Sequence, residues 1–440
     1  MNRMIGFAGL SHLGIVSSIA TASKGFEVTA YDQSSDLCGD LAREHVPVFE
    51  PGLSELLSAS RTRLRFTAEP TALGECEVIY FSLDVPTDQD NRSDLSSLTQ
   101  FIESVVNHAK SGSTLVVLSQ VPPGFTRRLT RRIQPLLDRR HLRVFYQVET
   151  LIFGRAVERA LGPERFIVGC EDPKADLPDS YRELLGSFGC PVLPMRYESA
   201  ELAKISINIL LAASIGATNT LAELCEVIGA EWAEIAPALR LDRRIGAYAY
   251  LAPGLGIAGG NIERDLVTVK ELAAQHGTED CVPSAFLTSS RYRRDWALRK
   301  LHQMVLQYQS NPILAVWGLA YKPNTASVKN SPTLGLLEAL PGHTVRLYDP
   351  SARLGRSNSS VTETETALEA CRGAHALVIM TGWDEFAAIA TKAVKEAMAQ
   401  PVVIDPSGIW NRRGVSVEGV DYCTLGSPPK RLSRCSSTLV

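Results

Sequence analysis

The sequence predicts an α/β protein with two doubly wound domains, each a mostly parallel sheet with helices on both faces, joined by a central region of long helices. Two observations support this fold class. Short apolar runs alternate with amphipathic stretches in the first third of the chain and again after about Asn311, an order typical of parallel sheets. From about Ser199 to Leu239, apolar residues instead recur at helical spacing, and no proline precedes Pro237.

The strands of both domains are predicted from short buried apolar runs. In the first domain these runs are Met4–Ala8, Glu27–Tyr31, Val78–Leu83 and Thr114–Leu118, with helical patterns such as Leu13–Ser23 and Leu53–Ala59 between them. In the last domain they are Ile313–Trp317, Thr344–Tyr348, Ala376–Met380 and Pro401–Ile404. The segment after Gly426 is rich in serine, proline and arginine and is predicted to be a disordered tail. The expected divisions are therefore 1–195, 196–300, 301–425 and 426–440.

Composition excludes several classes of function. The 440 residues carry a net charge of −3 without a long basic block, so we expect neither nucleic acid nor an anionic membrane as a partner. Nine scattered cysteines form no CxxC pair, which argues against a disulfide framework and against a metal site. No signal peptide is evident, and no apolar run reaches about 18 residues. We therefore expect a cytoplasmic protein without a transmembrane helix.

A glycine-rich turn after the first predicted strand indicates a dinucleotide site. The segment Gly9-Leu10-Ser11-His12-Leu13-Gly14 matches the G-x-G-x-x-G pattern except at Ser11, and it opens a helical pattern. Glycines there allow a tight turn and a close approach of pyrophosphate to a helix N-terminus. The second strand ends in Asp32, at the distance where a carboxylate binds the adenosine ribose and disfavours the additional phosphate of NADP. The alternative is a glycine turn in a doubly wound sheet that binds no nucleotide.

Further segments follow one another in an order that resembles a known family. They are Val46–Leu53, Leu64–Thr67, Asp94-Leu95, Ser119–Pro122, Pro163–Gly169, Ala200–Asn208, Asp242–Gly246, Gly254–Asp265, Gly318–Pro323 with Ser331-Pro332, and Thr381–Phe386. Each is similar to a segment of the UDP-glucose/GDP-mannose dehydrogenases, such as PIYEPGL, STVP, AE-x-x-K-x-x-x-N and D-x-R-I-G. The resemblance spans nearly the whole chain.

This resemblance implies a Rossmann domain that binds NAD, a central helical dimerisation region, and a Rossmann-like C-terminal domain that binds a nucleotide sugar. The family oxidises the C6 alcohol of a nucleotide sugar to a carboxylate with two NAD. A cysteine thiolate captures the intermediate aldehyde, because covalent capture turns the aldehyde into a hydride donor. The implied partners are a nucleotide-sugar-like substrate and other copies of the chain, in a homodimer or higher homo-oligomer.

The family's cysteine position is Asn261 in this chain, and an amide is not a nucleophile of that kind. The resemblance implies that Lys204, Asn208 and Asp265 serve the first oxidation, in which Lys204 acts as a general base or stabilises an alkoxide. Lys204 and Asn208 are four residues apart and share a helix face. Glu149 matches the glutamate that serves thioester hydrolysis in the family, although the surrounding N-P-E-F-L segment is altered here.

The resemblance also assigns binding residues. The cofactor-binding positions it implies are Gly9, Ser11, His12, Leu13, Gly14, Asp32, Pro86 and Gln120. The substrate-binding positions it implies are Leu151, Arg244, Gly256, Gly259, Gly260 and Lys322. Three departures fall on such contacts: Gln120 and Val85 each replace a threonine, and Ser407 replaces the arginine of a late D-x-R segment. The resemblance implies that this arginine contacts the nucleotide diphosphate, for which Lys322 and Arg244 are the basic contacts that remain. Together these changes suggest a different substrate.

Three functions remain open from the sequence. The leading hypothesis is a single two-electron alcohol–carbonyl interconversion on a nucleotide sugar or related nucleoside. The second is a full four-electron oxidation through a hydrated aldehyde, which needs no thiol. The third is a catalytically silent binding or regulatory subunit. Structural roles also remain open for individual residues: Lys204 and Arg244 as solvated charges, Asp265 as a helix cap, and His12 as a packing residue. Glu149 could equally be a structural carboxylate, and Asn261 could either hydrogen-bond a substrate hydroxyl or only fill the cysteine position.

Overall fold

The computed structural model describes residues 3–48, 50–88, 92–149, 151–257, 260–355 and 360–430. Its contacts divide the chain into two compact units, residues 1–207 and 208–440. The boundary falls within one long helix, which begins in the first unit and ends in the second. The division into domains at 195, 300 and 425 stays a prediction.

The first unit contains an eight-stranded sheet. Its strands are β1 (Met4–Ala8), β2 (Glu27–Tyr31), β3 (Leu64–Thr67), β4 (Val78–Phe81), β5 (Thr114–Val117), β6 (Arg143–Gln147), β7 (Phe166–Cys170) and β8 (Val192–Arg196). Their order is β3-β2-β1-β4-β5-β6-β7-β8, and all neighbours are parallel except β6 and β7. The strand order reverses between β1 and β4, so the carboxyl ends of these strands flank a topological switch point.

Helices connect these strands. They are α1 (His12–Ser23), α2 (Ser35–Ala42), α3 (Leu53–Ser60), α4 (Ser96–Val106), α5 (Phe125–Arg140), α6 (Ala156–Leu161), α7 (Asp179–Gly186) and α8 (Tyr197–Ile228). Successive residues of β4 pack on opposite faces of the sheet: Val78 and Tyr80 join one hydrophobic cluster, and Ile79 and Phe81 the other. Burial on both faces explains why this strand is a continuous apolar run rather than an alternating one.

The second unit contains a six-stranded, wholly parallel sheet in the order β11-β10-β9-β12-β13-β14. Its strands are β9 (Ile313–Trp317), β10 (Thr344–Tyr348), β11 (Val361–Glu363), β12 (Ala376–Ile379), β13 (Val402–Asp405) and β14 (Asp421–Thr424). This order also reverses beside the first strand, between β9 and β12. The predicted fold class is therefore confirmed in both sheets.

The helices of the second unit are α9 (Trp232–Leu241), α10 (Asn261–His276), α11 (Cys281–Arg294), α12 (Trp296–Leu301), α13 (Pro332–Glu338), α14 (Ala367–Cys371), α15 (Asp384–Ala388), α16 (Thr391–Ala397) and α17 (Ile409–Arg412). The predicted long helix followed by a second one corresponds to α8 and α9. Gly229, with a φ of 83°, lies just after α8, and a left-handed glycine there is a common helix terminator.

The helix α8 is 32 residues long and is the one helix in the described part of the chain that could cross a membrane by length and composition. This is weak evidence, because core helices of soluble proteins meet the same criterion. Within the second unit, the buried carboxylate of Glu226 near its end contacts Arg293 Nη2 at 3.2 Å and Lys300 Nζ at 3.1 Å. Trp296 Nε1 donates to the same carboxylate at 2.9 Å. This end of α8 is thus held by α11 and α12.

The start of the predicted disordered tail differs from the expectation. The amide of Gly426 donates to Glu226 Oε1 at 3.3 Å, and Ser427 Oγ donates to Glu231 Oε2 at 2.5 Å. Lys430 forms an antiparallel bridge with Tyr422 beside the last strand. Gly426, Ser427 and Lys430 therefore have defined hydrogen-bond partners in the second unit. Residues 431–440 lie outside the described residues.

Candidate active site

The glycine turn lies at the carboxyl end of β1. Gly9 has a φ of 93°, and a Cβ on it would lie 2.6 Å from Leu83 Cγ. A Cβ on Gly14 would lie 2.0 Å from the carbonyl oxygen of Gly9. Only glycine fits at both positions, because the turn packs so closely against the start of α1. Ser11, at the second position of the pattern, donates its hydroxyl to the carbonyl of Ser82 at 2.7 Å and so links the loops after β1 and β4.

Asp32 follows β2 and anchors this turn. Its Oδ2 accepts from the amide of Leu10 at 2.7 Å, and its Oδ1 accepts from the amide of Ser34 at 2.9 Å. The first turn of α1 has no acidic residue and no side-chain cap. The backbone amides of this turn and the positive end of the helix dipole are therefore suited to a phosphate. The close-packed glycines, this helix end and the adjacent carboxylate fit the pyrophosphate and ribose of a dinucleotide.

His12 and Leu13 begin α1. His12 Nε2 lies 2.8 Å from Oε1 of Glu50, a buried residue. The same carboxylate accepts hydrogen bonds from two backbone amides, that of Gly154 at 2.9 Å to Oε1 and that of Ala156 at 3.0 Å to Oε2. Leu13 packs against the adjacent hydrophobic cluster. Glu50 thus connects the glycine turn to the start of α6. Sequence reasoning found the segment around Glu50 but gave this carboxylate no role, because its partners come from distant parts of the chain.

Pro86 and Gln120 lie in the loops that follow β4 and β5, the two strands next to β1 on one side. The carbonyl of Pro86 accepts from the amide of Asp94 at 3.0 Å. Ser119, just before Gln120, donates its hydroxyl to the carbonyl of Leu83 at 2.6 Å. Both predicted cofactor residues therefore lie at the same sheet edge as Gly9, where parallel strands present their carboxyl ends.

Glu149 follows β6 and lines a cavity of about 40 Å³ that is also lined by Arg159 and Arg165. Tyr80 lines the same cavity, and its pKa is raised, first by burial and then by the charge of Glu149. Glu149 therefore lies among basic and phenolic groups of the first unit. Leu151, two residues further on, packs against one of the two hydrophobic clusters on this sheet.

Glu201 lies in the segment Ala200–Asn208, which resembles a family motif, and its contacts are structural. Its side chain is fully buried, and it accepts from the backbone amides of Gly124 at 2.5 Å and Thr126 at 2.7 Å, at the N-terminus of α5. A carboxylate there satisfies free amides and interacts with the helix dipole. Burial nevertheless raises the pKa of Glu201, against these hydrogen bonds.

Lys204 is half-buried on α8, one helical turn before Asn208 on the same helix. Within the second unit, Asn208 Nδ2 donates to Asp265 Oδ2 at 2.6 Å, and both residues are buried. Arg264 Nε lies 3.6 Å from Asp265 Oδ1. The structure therefore brings together two of the predicted catalytic residues, and it adds Arg264 as a cation that the sequence analysis had not assigned.

Asn261 is the first residue of α10 and is exposed. Its Oδ1 accepts from Arg264 Nη2 at 3.4 Å, one helical turn further on. A Cβ on the preceding Gly260 would lie 3.2 Å from Lys329 Cε. Asn261 therefore belongs to the same group of polar side chains as Asp265, linked to it through Arg264.

Among the remaining predicted substrate residues, those that the structure describes lie in different parts of the second unit. Gly256 has a φ of 80°, and a Cβ on it would lie 2.5 Å from the carbonyl oxygen of Ser290, so this turn also requires glycine. Gly259 lies outside the described residues. Arg244 is exposed and pairs with Asp242 at 2.6 Å, and this hydrogen bond raises the pKa of Arg244.

Lys322 and Gly256 both line a cavity of about 320 Å³ in the second unit. Further lining residues follow the carboxyl ends of β12 and β13 and include Thr381, Ser407 and Arg412. The Nζ of Lys322 lies 5.5 Å from the centre of the Tyr321 ring, within the range of a cation–π contact. The structure thus groups these two predicted substrate residues, whereas Arg244 is not among the lining residues.

Comparison with known proteins identifies the domains around these residues. Three models of the UDP-glucose/GDP-mannose dehydrogenase family match in chain order: the NAD binding domain at residues 3–187, the central domain at 198–290 and the UDP binding domain at 315–412. UDP-glucose 6-dehydrogenase TuaD of Bacillus subtilis (strain 168) is 28% identical over 441 residues, which cover 98% of this chain and 94% of the relative.

Other similar proteins agree. UDP-glucose 6-dehydrogenase of Rhizobium meliloti (strain 1021) is 29% identical over 440 residues, covering 96% of this chain and 98% of the relative. The solved structure of a UDP-glucose dehydrogenase from Pyrobaculum islandicum has a TM-score of 0.82 and 25% identity, covering 97% of this chain and 98% of that one. The chain therefore belongs to the UDP-glucose/GDP-mannose dehydrogenase family and is an NAD-dependent dehydrogenase that acts on a CH–OH group of a nucleotide-sugar-type substrate.

Proposed function

We propose that this enzyme performs a single two-electron interconversion of an alcohol and a carbonyl on a nucleotide sugar or related nucleoside. The observation that carries the proposal is Asn261, at the first residue of α10, where the family pattern has its cysteine. The amide nitrogen has a delocalised lone pair and does not add to an aldehyde, so no thiohemiacetal forms at this position.

The thiols elsewhere in the chain support this proposal. Burial is the main cause of a raised pKa at Cys38, Cys76, Cys170, Cys190, Cys225 and Cys371. The exposed Cys281 has a raised pKa because its thiol is hydrogen-bonded to Glu279. A thiol acts as a nucleophile only as its thiolate, so these seven groups are poorly suited to replace the missing one.

The surroundings of Glu149 also support a single oxidation without a thioester. A carboxylate that activates water for thioester hydrolysis needs access to the reacting carbon. Glu149 instead lines a small cavity of the first unit together with Arg159 and Arg165, which each form an ion pair with Glu164. We infer that Glu149 now has a structural role, which is compatible with a reaction that forms no thioester.

The residues of the first oxidation are retained. The glycine turn after β1 and Asp32 would hold NAD, which would supply the hydride acceptor for the alcohol carbon. We assign to Lys204 Nζ the removal of the hydroxyl proton, and to Asn208 the orientation of the substrate oxygen. Asp265 fixes the Asn208 amide with its 2.6 Å hydrogen bond, and Arg264 balances the charge of this buried carboxylate.

The test is the ratio of NADH to product on a panel of UDP-, GDP- and ADP-sugars, with the product identified by mass. We expect one NADH per aldehyde or ketone product. Two NADH per product with a carboxylate would overturn the proposal and favour oxidation through a hydrated aldehyde. An absence of turnover and of NAD binding would instead favour the silent-subunit hypothesis.

Replacement of Asn261 sharpens this test. In an Asn261→Cys variant, the restored thiol is expected to permit some second oxidation, so that the ratio of NADH to product rises above one. Asn261→Ser is the matched control, because its hydroxyl has a similar size but a much higher pKa.

The role of Lys204 is tested separately. A Lys204→Ala variant should lose about 10²-fold or more in rate without a change in the ratio of NADH to product.

We further propose that the enzyme is a cytoplasmic homodimer and that 1–195, 196–300 and 301–425 act as cofactor, dimerisation and nucleotide-sugar regions. One face of α8 carries four exposed apolar residues, Leu210, Leu221, Leu224 and Ile228. The successive spacings along the chain are eleven, three and four residues, each of which returns to the same helix face. An apolar stripe of this kind supports an interface with a second copy. The polar contacts of Asn208 and Glu226 support a helix packed within a protein rather than in lipid.

A further inference from the structure

The cavity at the carboxyl edge of the six-stranded sheet is suited to an anion. Its volume is about 320 Å³, and its lining residues include two cations, Lys322 and Arg412, and no aspartate or glutamate. Lys322 follows β9, whereas Arg412 is the last residue of α17, just after β13. The charge balance of these lining residues therefore favours a negatively charged ligand.

Arg412 lies beside the position from which an arginine is missing. A Cβ on Gly382 would lie 3.0 Å from Arg412 Nη2 and 3.4 Å from Ser407 Cβ, so both side chains lie against the same glycine. Gly382 has no side chain and leaves room for the guanidinium at this point. The helix α17 provides this position, since the amide of Arg412 donates to the carbonyl of Gly408 at 2.9 Å and turns the chain back after Ser407.

The two consecutive arginines of this segment differ in their contacts. Arg413 forms an ion pair with Asp384. Arg412 has no ion pair with any acidic side chain in the described part of the chain, and it lines the cavity instead. The guanidinium of Arg412 is therefore available to an anionic ligand, whereas that of Arg413 is already neutralised.

We propose that Arg412 takes over the role of the arginine absent at position 407 and binds the diphosphate of the substrate, together with Lys322. A guanidinium forms paired hydrogen bonds to phosphate oxygens, and an ammonium such as that of Lys322 supplies a point charge beside it. Arg412 thereby selects substrates that carry a diphosphate over nucleosides. This inference rests on the proposed nucleotide-type substrate and names the residue that recognises its charged part.

The test compares the wild-type enzyme with Arg412→Ala, Arg412→Lys and Arg413→Ala by calorimetric titration with UDP, GDP, ADP and the corresponding nucleosides. We expect Arg412→Ala to weaken binding of the preferred diphosphate about 10-fold or more, to reduce its dependence on salt, and to leave nucleoside binding unchanged. Arg412→Lys should give an intermediate affinity. Arg413→Ala is the matched control and should bind like the wild type, with circular dichroism reporting the fold of each variant.

The outcomes separate this inference from the proposed function. Equal diphosphate affinities of Arg412→Ala and Arg413→Ala, in a wild type that binds diphosphates, would overturn the role of Arg412 alone. An equal loss of nucleoside and diphosphate affinity in Arg412→Ala would also overturn it, because a general distortion of the cavity would then explain the effect. A wild type that binds none of the three diphosphates would overturn the substrate class and the inference together.

Discussion

At the scale of single residues, close packing explains the cofactor turn more fully than the glycine pattern does. Gly9 and Gly14 are required because a side chain at either one would overlap the neighbouring backbone or Leu83. Ser11 is tolerated at the second position because its hydroxyl has a specific partner, the carbonyl of Ser82. The departure from the glycine pattern is thus compatible with the turn that NAD binding needs.

A Gly14→Ala substitution tests the close approach at this turn. Because the new Cβ would lie 2.0 Å from the Gly9 carbonyl oxygen, we expect overpacking to cost about 1–3 kcal/mol of stability and NAD binding to weaken. Urea unfolding and the fluorescence of bound NADH measure the two effects. Gly39→Ala is the control: the nearest atom to its Cβ would be Arg43 Nη1 at 3.7 Å, so stability should rise by up to about 1 kcal/mol. Unchanged NAD binding in Gly14→Ala would contradict the packing argument.

At the scale of elements, helix ends and strand ends place the polar groups. Glu201 on α8 caps the N-terminus of α5, and Asp265 on α10 holds Asn208 of α8. Both carboxylates are buried, yet only the second belongs to the proposed catalytic group. The first fixes the helix that carries the proposed base Lys204 against its neighbour in the same unit, and so it acts on catalysis through structure.

The pH dependence of stability tests the environment of Glu201. Its folded-state pKa is raised by burial, so the folded protein retains a proton that the unfolded chain releases near the ordinary value of about 4.3. The contribution of this group to stability is therefore present below that pH and is lost as the pH rises through the folded-state pKa. Glu201→Gln cannot titrate, so the stability of the wild type relative to this variant should fall between pH 4 and pH 7.5 in urea unfolding.

Glu198, three residues earlier on the same helix, provides a control of opposite sign. Its pKa is lowered, mainly by the hydrogen bond from Arg127. The stability of the wild type relative to Glu198→Gln should therefore rise over the same range, because a lowered pKa stabilises the folded protein above the unfolded-state value. The same pH trend in both variants would show that the burial of Glu201 does not govern its titration.

At the scale of the whole molecule, two sheets with the same central reversal of strand order each present a carboxyl edge. The first edge bears the glycine turn, and the second bears the cavity with Lys322 and Arg412. Between them in sequence, α8 ends at the buried carboxylate of Glu226, which is paired with Arg293 and Lys300. Removal of one member of such a buried group leaves an uncompensated charge, so this group stabilises the second unit.

The oligomeric state tests the apolar stripe on α8. We expect the wild type to have the mass of a dimer in size-exclusion chromatography with light scattering, and a Leu221→Lys/Leu224→Lys double variant to shift towards a monomer. Two lysines in a self-complementary interface would be repeated by symmetry and would have to be desolvated. Leu368→Lys, at an exposed leucine on α14, should keep the wild-type mass. A monomeric wild type would contradict the proposed interface.

The sequence by itself predicted the fold class, the central strands of both sheets and the glycine turn. These features follow from local patterns: a strand buried on both faces, such as β4 or β12, is a continuous apolar run whatever surrounds it. The sheet-edge strand β8 was not predicted, because Pro194 and the exposed Leu193 interrupt the pattern that identifies a buried strand. The ordered segment 426–430 was missed for a similar reason, since its composition is that of a flexible tail.

Only the tertiary structure decided which polar residues act together. The resemblance to the family groups Lys204, Asn208 and Asp265 by their motifs, but the position of the buried Arg264 beside Asp265 depends on how α10 packs. The same holds for Glu50, whose partners lie at positions 12, 154 and 156, and for Arg412, which approaches Ser407 across Gly382. Sequence patterns report local geometry, whereas the charge and hydrogen-bond balance of a site depends on contacts between residues that are far apart in the chain.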